Sequence, residues 1–329
     1  MKTKLFLSTL FLFTSLLIFG QRKENPTPIQ LPEISKELIK MRDQDQKYRR
    51  KWGGMIKKGK SNSKKFKKLT RKLAAIDRKN TKRIKEIVVQ YGWPTYDLVG
   101  ERGSHCAWVV TQHADMNPLV QAYCLPLLKE AVDKNQANPS NYAYLYDRVQ
   151  VAKGEKQLYA TQSTTNNGLK TGFFQPIEDE SNVQNRRTEM GISKSIETYA
   201  QELGFKYEIP SEEEAIKRDK EWAKAYRENK ELALQAMKKK DYSTAVKHYG
   251  IAMESNGYIQ AEDYVELARA ISISKHKASR EGFYFLIKAA FKGFQGINEF
   301  DTHEDFKNIK LANPERWLEL MAVVEELNK

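Results

Sequence analysis

The sequence predicts a mostly α-helical chain of two parts. The first is an α+β domain of helical hairpins with a small antiparallel sheet. The second is an all-α, tetratricopeptide-like domain. Three observations predict this. Apolar residues recur at steps of three and four over Leu38, Met41, Tyr48 and Trp52, and again over Phe66, Leu69, Leu73, Ile76, Ile84 and Ile87. Residues alternate in character on both sides of Lys153-Gly154-Glu155-Lys156. In the last third, a spacing recurs at an offset of 37, with small residues at most positions: Ala233, Ala245, Tyr249 and Ala252, then Ala270, Gly282, Leu286 and Ala289.

The chain opens with Met1-Lys2-Thr3-Lys4 and an apolar run from Leu5 to Gly20. That run reads as a secretory signal peptide and is too short to span a bilayer. We expect a signal peptide over 1–20, a linker over 21–33, the α+β domain over 34–205 and the helical domain over 206–329. The expected location is periplasmic or secreted, and no integral membrane segment is expected after cleavage. Of 329 residues, 40% are hydrophobic, enough for ordinary cores and against wholesale disorder.

The first two helices form an antiparallel hairpin around Gly59-Lys60-Ser61-Asn62-Ser63. Each apolar stripe has a polar interruption, Asp45 in the first and Asn80 in the second, with Asp77 and Arg49 close by. A buried carboxylate beside an arginine is either structural or the wall of a cleft. The net charge of +14 has its source here, since Lys36 to Lys85 holds 21 Lys/Arg against 4 Asp/Glu. Such a block fits a solvated outer face or an anionic envelope polymer. Nucleic acid is not expected, because export separates it from the chain and Phe66 is the one aromatic between Trp52 and Tyr91.

Gly92-Trp93-Pro94 stops the second helix. Ser104–Ala114 and Pro118–Asp133 then read as a helix pair, with a kink or late start at Pro126. Cys106 and Cys124 fall on this pair. Two buried thiols are expected, with a disulfide as the alternative. Next, Gly154-Glu155 fits a type II′ turn between strands Asp147–Ala152 and Gln157–Gln162. Its register places Asp147 opposite Gln162, facing the helices, and Arg148 opposite Thr161 on the other face. Phe173, Phe174, Pro176 and Ile177 add a third strand.

These residues resemble an uncharacterised, often exported bacterial family of unknown function, over Leu38 to Tyr199. The likeness rests on Asp45-Gln46 with Arg49, Asp77 with Asn80, Gly92-Trp93-Pro94, Val99-Gly100 and Ala107-Trp108. It continues through Gln112-His113-Ala114-Asp115, Ala143-Tyr144-Leu145, Asp147-Arg148-Val149, Gln157, Tyr159, Thr161-Gln162, Pro176-Ile177-Glu178, Arg186-Arg187 and Gly191. One departure is Ala160, where the family's pattern has glycine. The resemblance implies that His113, Asp115, Asp147, Arg148 and Gln162 share one domain. It implies no activity.

The candidate catalytic residues are His113, Asp115, Asp147, Arg148, Gln162 and Arg187. His113 as a general base, oriented by Asp147 or Asp115, with Arg148 or Arg187 holding an anion, is chemically coherent. The alternative is a satisfied core histidine beside a structural Asp147–Arg148 ion pair. No metal or cofactor is expected: His105 and His113 lack the i, i+4 spacing, and there is no Gly-rich phosphate loop. Ser211 with Glu214 predicts a capping box opening a long helix. The helices beyond it predict a surface for a protein or peptide partner, or a prop for the first domain, with Leu311–Leu327 closing the stack. The leading expectation is therefore an exported binding protein. The alternative is a hydrolase with a cleft around His113, Asp147 and Gln162.

Overall fold

The computed structural model describes residues 29–166, 171–255, 257–274, 279–296, 300–312 and 314–327. The expected signal peptide and residues 21–28 of the expected linker lie outside them. Thirteen α-helices and one two-stranded sheet are present among the described residues.

Helices α1 (Pro32–Lys57) and α2 (Lys64–Tyr91) form the expected hairpin. Ser63 caps α2 by accepting from the Phe66 N–H, and Gly92, at φ 73°, ends it by donating to the Val88 carbonyl. Helix α3 (Tyr96–Gln112) starts earlier than expected and kinks at Gly100, whose φ and ψ are 73° and 163°. A Cβ on Gly103 would lie 2.8 Å from Ser35 Oγ, so its bare Cα lets α3 approach α1 closely. Helix α4 spans Pro118–Asp133 as expected and contains Pro126. Leu38, Ile84, Ile87, Val99, Cys106, Leu128 and Leu145 form the core of this region, each at most 1% exposed. Both cysteines are free thiols.

The hairpin expected at 147–162 is absent. Helix α5 (Pro139–Lys153) occupies its first half, and Gly154 caps that helix at φ 75°, ψ 22°. A type II′ turn and a left-handed helix cap both require positive φ, so the same glycine suits either. The alternation has a physical cause too. Asn141, Ala143, Leu145, Asp147 and Val149 are buried while the residues between them are half-buried. Helix α5 is sandwiched: Leu145 packs into the helical core, and Asp147, two residues on and half a turn away, meets the segment 158–161. Burial on two opposite faces mimics the period of a strand.

The sheet instead pairs β1 (Ser163–Asn166) with β2 (Thr171–Phe174), antiparallel, with Ser163 opposite Phe174 and Thr164 opposite Phe173. Gln157 makes only an isolated parallel bridge to Ile177. Helices α6 (Val183–Glu189) and α7 (Ile196–Leu203) cover the sheet through Val183, Ile196 and Ala200, against Ala160 and Phe174.

Helix α8 (Glu212–Lys238) opens with the expected capping box of Ser211 and Glu214. Then follow α9 (Tyr242–Ala252), α10 (Ala261–Ile273), α11 (Ser279–Phe291), α12 (Lys307–Ala312) and α13 (Pro314–Leu327). Ala233, Ala245, Tyr249, Ala252, Ala270, Leu286 and Ala289 are all buried. A Cβ on Gly282 would lie 2.5 Å from Ile309 Cδ1, so the small residues of the recurrence sit where helices approach closely. No helix among the described residues is long and apolar enough to cross a membrane.

Candidate functional site

Three elements meet around Asp45, which is 1% exposed on α1. Its Oδ1 accepts from Arg49 Nε at 2.8 Å, one turn on, and its Oδ2 accepts from Gln46 Nε2 at 3.0 Å. His113, which caps the end of α3, places Nδ1 2.9 Å from the same Oδ2, with its N–H out of line for a linear hydrogen bond. Arg49 also reaches across the hairpin and donates from Nη2 to Asp77 Oδ1 at 2.6 Å. Burial would raise the Asp45 carboxyl, but His113 and Arg49 outweigh it and hold the group below its ordinary value. Burial pushes Asp77 the other way, up to about 6, with Arg49 opposing and the Asp45 charge adding to the rise. An ionised Asp45 beside Nδ1 favours the tautomer that leaves Nε2 as the accepting atom.

Asp77 and His113 border a cavity of about 320 Å³. Arg78 and Lys82 lie on its polar side, and Val120, Phe283 and Ile287 form its apolar wall. The wall draws α2, the start of α4, and α11 into one site.

The other candidates do not join His113 in this cavity. Asp115 and Arg148 form a second cluster behind it. Arg148 donates from Nη1 to Asp115 Oδ1 at 2.7 Å and from Nε to Gln112 Oε1 at 3.0 Å. Gln121 donates to Asp115 Oδ1 and to the carbonyls of Gln112 and Thr111. These bonds tie α5 and α4 to the turn that carries His113. They hold its position without touching the cavity.

Asp147, Gln162 and Arg187 build a third cluster, around the segment 157–162. Asp147 is fully buried and accepts from the backbone N–H groups of Leu158 at 2.8 Å, Tyr159 at 3.1 Å and Thr161 at 2.9 Å. Burial raises its carboxyl to about 6 against the pull of those bonds. Arg187, also fully buried, donates to the carbonyls of Tyr159 at 2.8 Å and Lys194 at 3.1 Å and lies 5.4 Å over the Tyr199 ring. Gln162 donates from Nε2 to Thr161 Oγ1 at 3.0 Å. So Asp147 does not face Gln162 across a ladder, and His113 pairs with Asp45 rather than with Asp147 or Asp115.

Gln157 was not among the candidates, yet it is fully buried and holds the carbonyls of Gln162 and Gln175 from Nε2, at 2.8 and 2.7 Å. Asp45 is legible as a polar break in its apolar stripe, and Asp77 as a carboxylate beside the break at Asn80. The pairing of Asp45 with His113, some seventy residues on, is not legible there.

A larger cavity, about 620 Å³, lies between β2, the segment 205–208 and helices α8 and α9. Phe173, Phe205, Tyr207, Trp222 and Ile251 line it, and Glu180 and Arg218 pair beside it at 2.7 Å. Among the described residues no group of three or more His, Cys, Asp or Glu is placed to hold a metal ion.

No curated protein and no solved structure matches the chain. Residues 32–210, more than half of it and the whole of the region that holds the three clusters, match the family of unknown function DUF6624, and the chain belongs to that family.

Proposed function

We propose that the protein is exported, to the periplasm or the medium, and binds a protein or peptide partner through its carboxy-terminal helices. On this reading residues 206–329 are a tetratricopeptide-like unit, joined to the family domain over 34–205. The observation that carries it is the aromatic cleft between β2 and the α8–α9 pair. An extended peptide finds there rigid apolar contacts from Phe173, Tyr207 and Trp222 and a charged pair from Glu180 and Arg218. Two of the catalytic candidates, Asp147 and Arg187, are wholly buried and bind neighbouring backbone groups through both carboxylate oxygens and through both Nη atoms, which also favours binding over chemistry.

The test is a photo-crosslinking residue placed at Ile251, which is 38% exposed at the cleft, compared with one at the exposed Leu318 in α13. A discrete adduct from Ile251 that disappears with Trp222→Ala supports the proposal. Equal labelling from both positions, or none, removes it. Cell fractionation with mass measurement of the mature amino terminus tests export.

A second reading is a hydrolase centred on His113, and the pairing of Asp45 with His113 beside a cavity favours it. In it His113 is the general base, Asp45 orients the ring, and Arg78 or Lys82 meets an anionic substrate. Asp147 and Gln162 then support the fold rather than the chemistry. Hydrolysis that follows His113→Ala and Asp45→Asn, and survives Trp222→Ala, would establish this reading in place of the first.

A further inference from the structure

The basic charge is concentrated on a part of the hairpin that leaves the body of the protein. The last buried residue of α1 is Asp45 and the first of α2 is Leu73; none between them is buried. At 1.5 Å per residue, the stretch from Gln46 to Lys57 carries the hairpin about 18 Å past Asp45. Between Gln46 and Lys72 there are thirteen lysines and arginines and no aspartate or glutamate. Among the described residues, Arg49 alone of these cations has an ion pair, turned inward to Asp45 and Asp77. A solvated helix face commonly mixes both signs, which limits self-repulsion. An arm this uniform is unfavourable in isolation and favourable against negative charge.

The arm also carries apolar groups near its free end. Trp52 and Phe66 stack at 5.6 Å across the two helices, and Ile56 is 43% exposed one turn beyond Trp52. Lys57, Lys58, Lys60, Lys64 and Lys67 lie close to them along the chain, all exposed. Aromatic and aliphatic side chains ringed by long lysines suit the headgroup boundary of a bilayer, where the rings enter the interface and the ammonium groups stay among phosphates. Trp52 and Phe66 use their faces on each other, which leaves poor platforms for stacked bases.

We propose that the arm docks the protein peripherally onto an anionic lipid surface, with the lysines meeting lipid phosphates and Trp52, Ile56 and Phe66 entering the interface. This holds the family domain and the carboxy-terminal helices beside the membrane surface.

The test is flotation of the full-length mature protein with vesicles of phosphatidylcholine, with and without about a third phosphatidylglycerol. The expected result is binding to the anionic vesicles alone, weakened more than about a hundredfold by K58E/K64E/K67E together and at least about tenfold by W52S/I56S. All five positions are outside the core, and circular dichroism checks that the variants keep their helices. No flotation with anionic vesicles overturns the proposal. So does binding that W52S/I56S leaves unchanged and that soluble polyphosphate abolishes at equal phosphate, since that pattern belongs to a polyanion site without insertion.

Discussion

The Asp147 carboxylate grips Thr161 twice, accepting its backbone N–H and its hydroxyl on the same oxygen, each at 2.9 Å. With Leu158 and Tyr159 on the other oxygen, one buried side chain organises a segment that has no ladder of its own. Asp147→Asn removes the charge and turns an NH₂ donor toward N–H donors. We expect a loss of about 3 kcal/mol, read from urea denaturation. A loss below about 1 kcal/mol would mean that the segment is held by other contacts.

Ala160, in the middle of that segment, has φ 50° and is fully buried. A side chain in the left-handed region costs about 1–2 kcal/mol, and glycine avoids most of it. The glycine that the family resemblance places here is thereby explained by backbone geometry. Ala160→Gly should stabilise the protein by roughly 0.5–1 kcal/mol, after its own entropic cost, and raise the thermal midpoint. An unchanged or lower midpoint would contradict the strain.

Asp77 gives a pH dependence of stability. Its carboxyl is raised by burial to about 6 from an ordinary 3.8, so the folded state holds this proton more tightly than the unfolded chain. The contribution is present at low pH and is lost as pH climbs from about 3.8 to about 6. Relative to Asp77→Asn, the wild type should therefore lose stability between pH 4 and pH 7. Denaturation of both proteins at the two pH values measures it, and a relative gain would reverse the assignment.

Gly154 is where the carboxy-terminal helices press on α5. Its φ is 75°, and a Cβ there would lie 2.7 Å from the hydroxyl of the buried Tyr264 on α10. Gly204 has φ 92° and nothing within 4 Å. Gly204→Ala should cost about 1 kcal/mol, from the backbone alone. Gly154→Ala adds overpacking and should cost about 2–4 kcal/mol. Equal costs would show that α10 yields at no expense.

Cys106 and Cys124 are both fully buried, and burial pushes the Cys124 thiol up to about 12. Protein purified under oxidising conditions should show two thiols on unfolding and slow reaction while native. A mass lower by two hydrogens would indicate a bridge.

Local chemistry made the helices readable. The bounds of α4, the stop at Gly92, the capping box at Ser211 and the buried small residues from Ala233 to Ala289 all follow from 3.6-residue periodicity and from caps within a few residues. The polar breaks at Asp45 and Asn80 also marked residues that are indeed buried. What stayed hidden was every choice between equal local options. Gly154 serves a turn or a helix end alike, and α5 alternates because neighbours distant in sequence bury it from two sides. The sequence offers His113 two carboxylates, Asp115 and Asp147, and the packing of α3 on α1 instead puts it beside Asp45. Charge count and helical period are properties of the chain read in order. Which side chains share a pocket depends on how helices pack, and that free energy comes from contacts far apart along the chain.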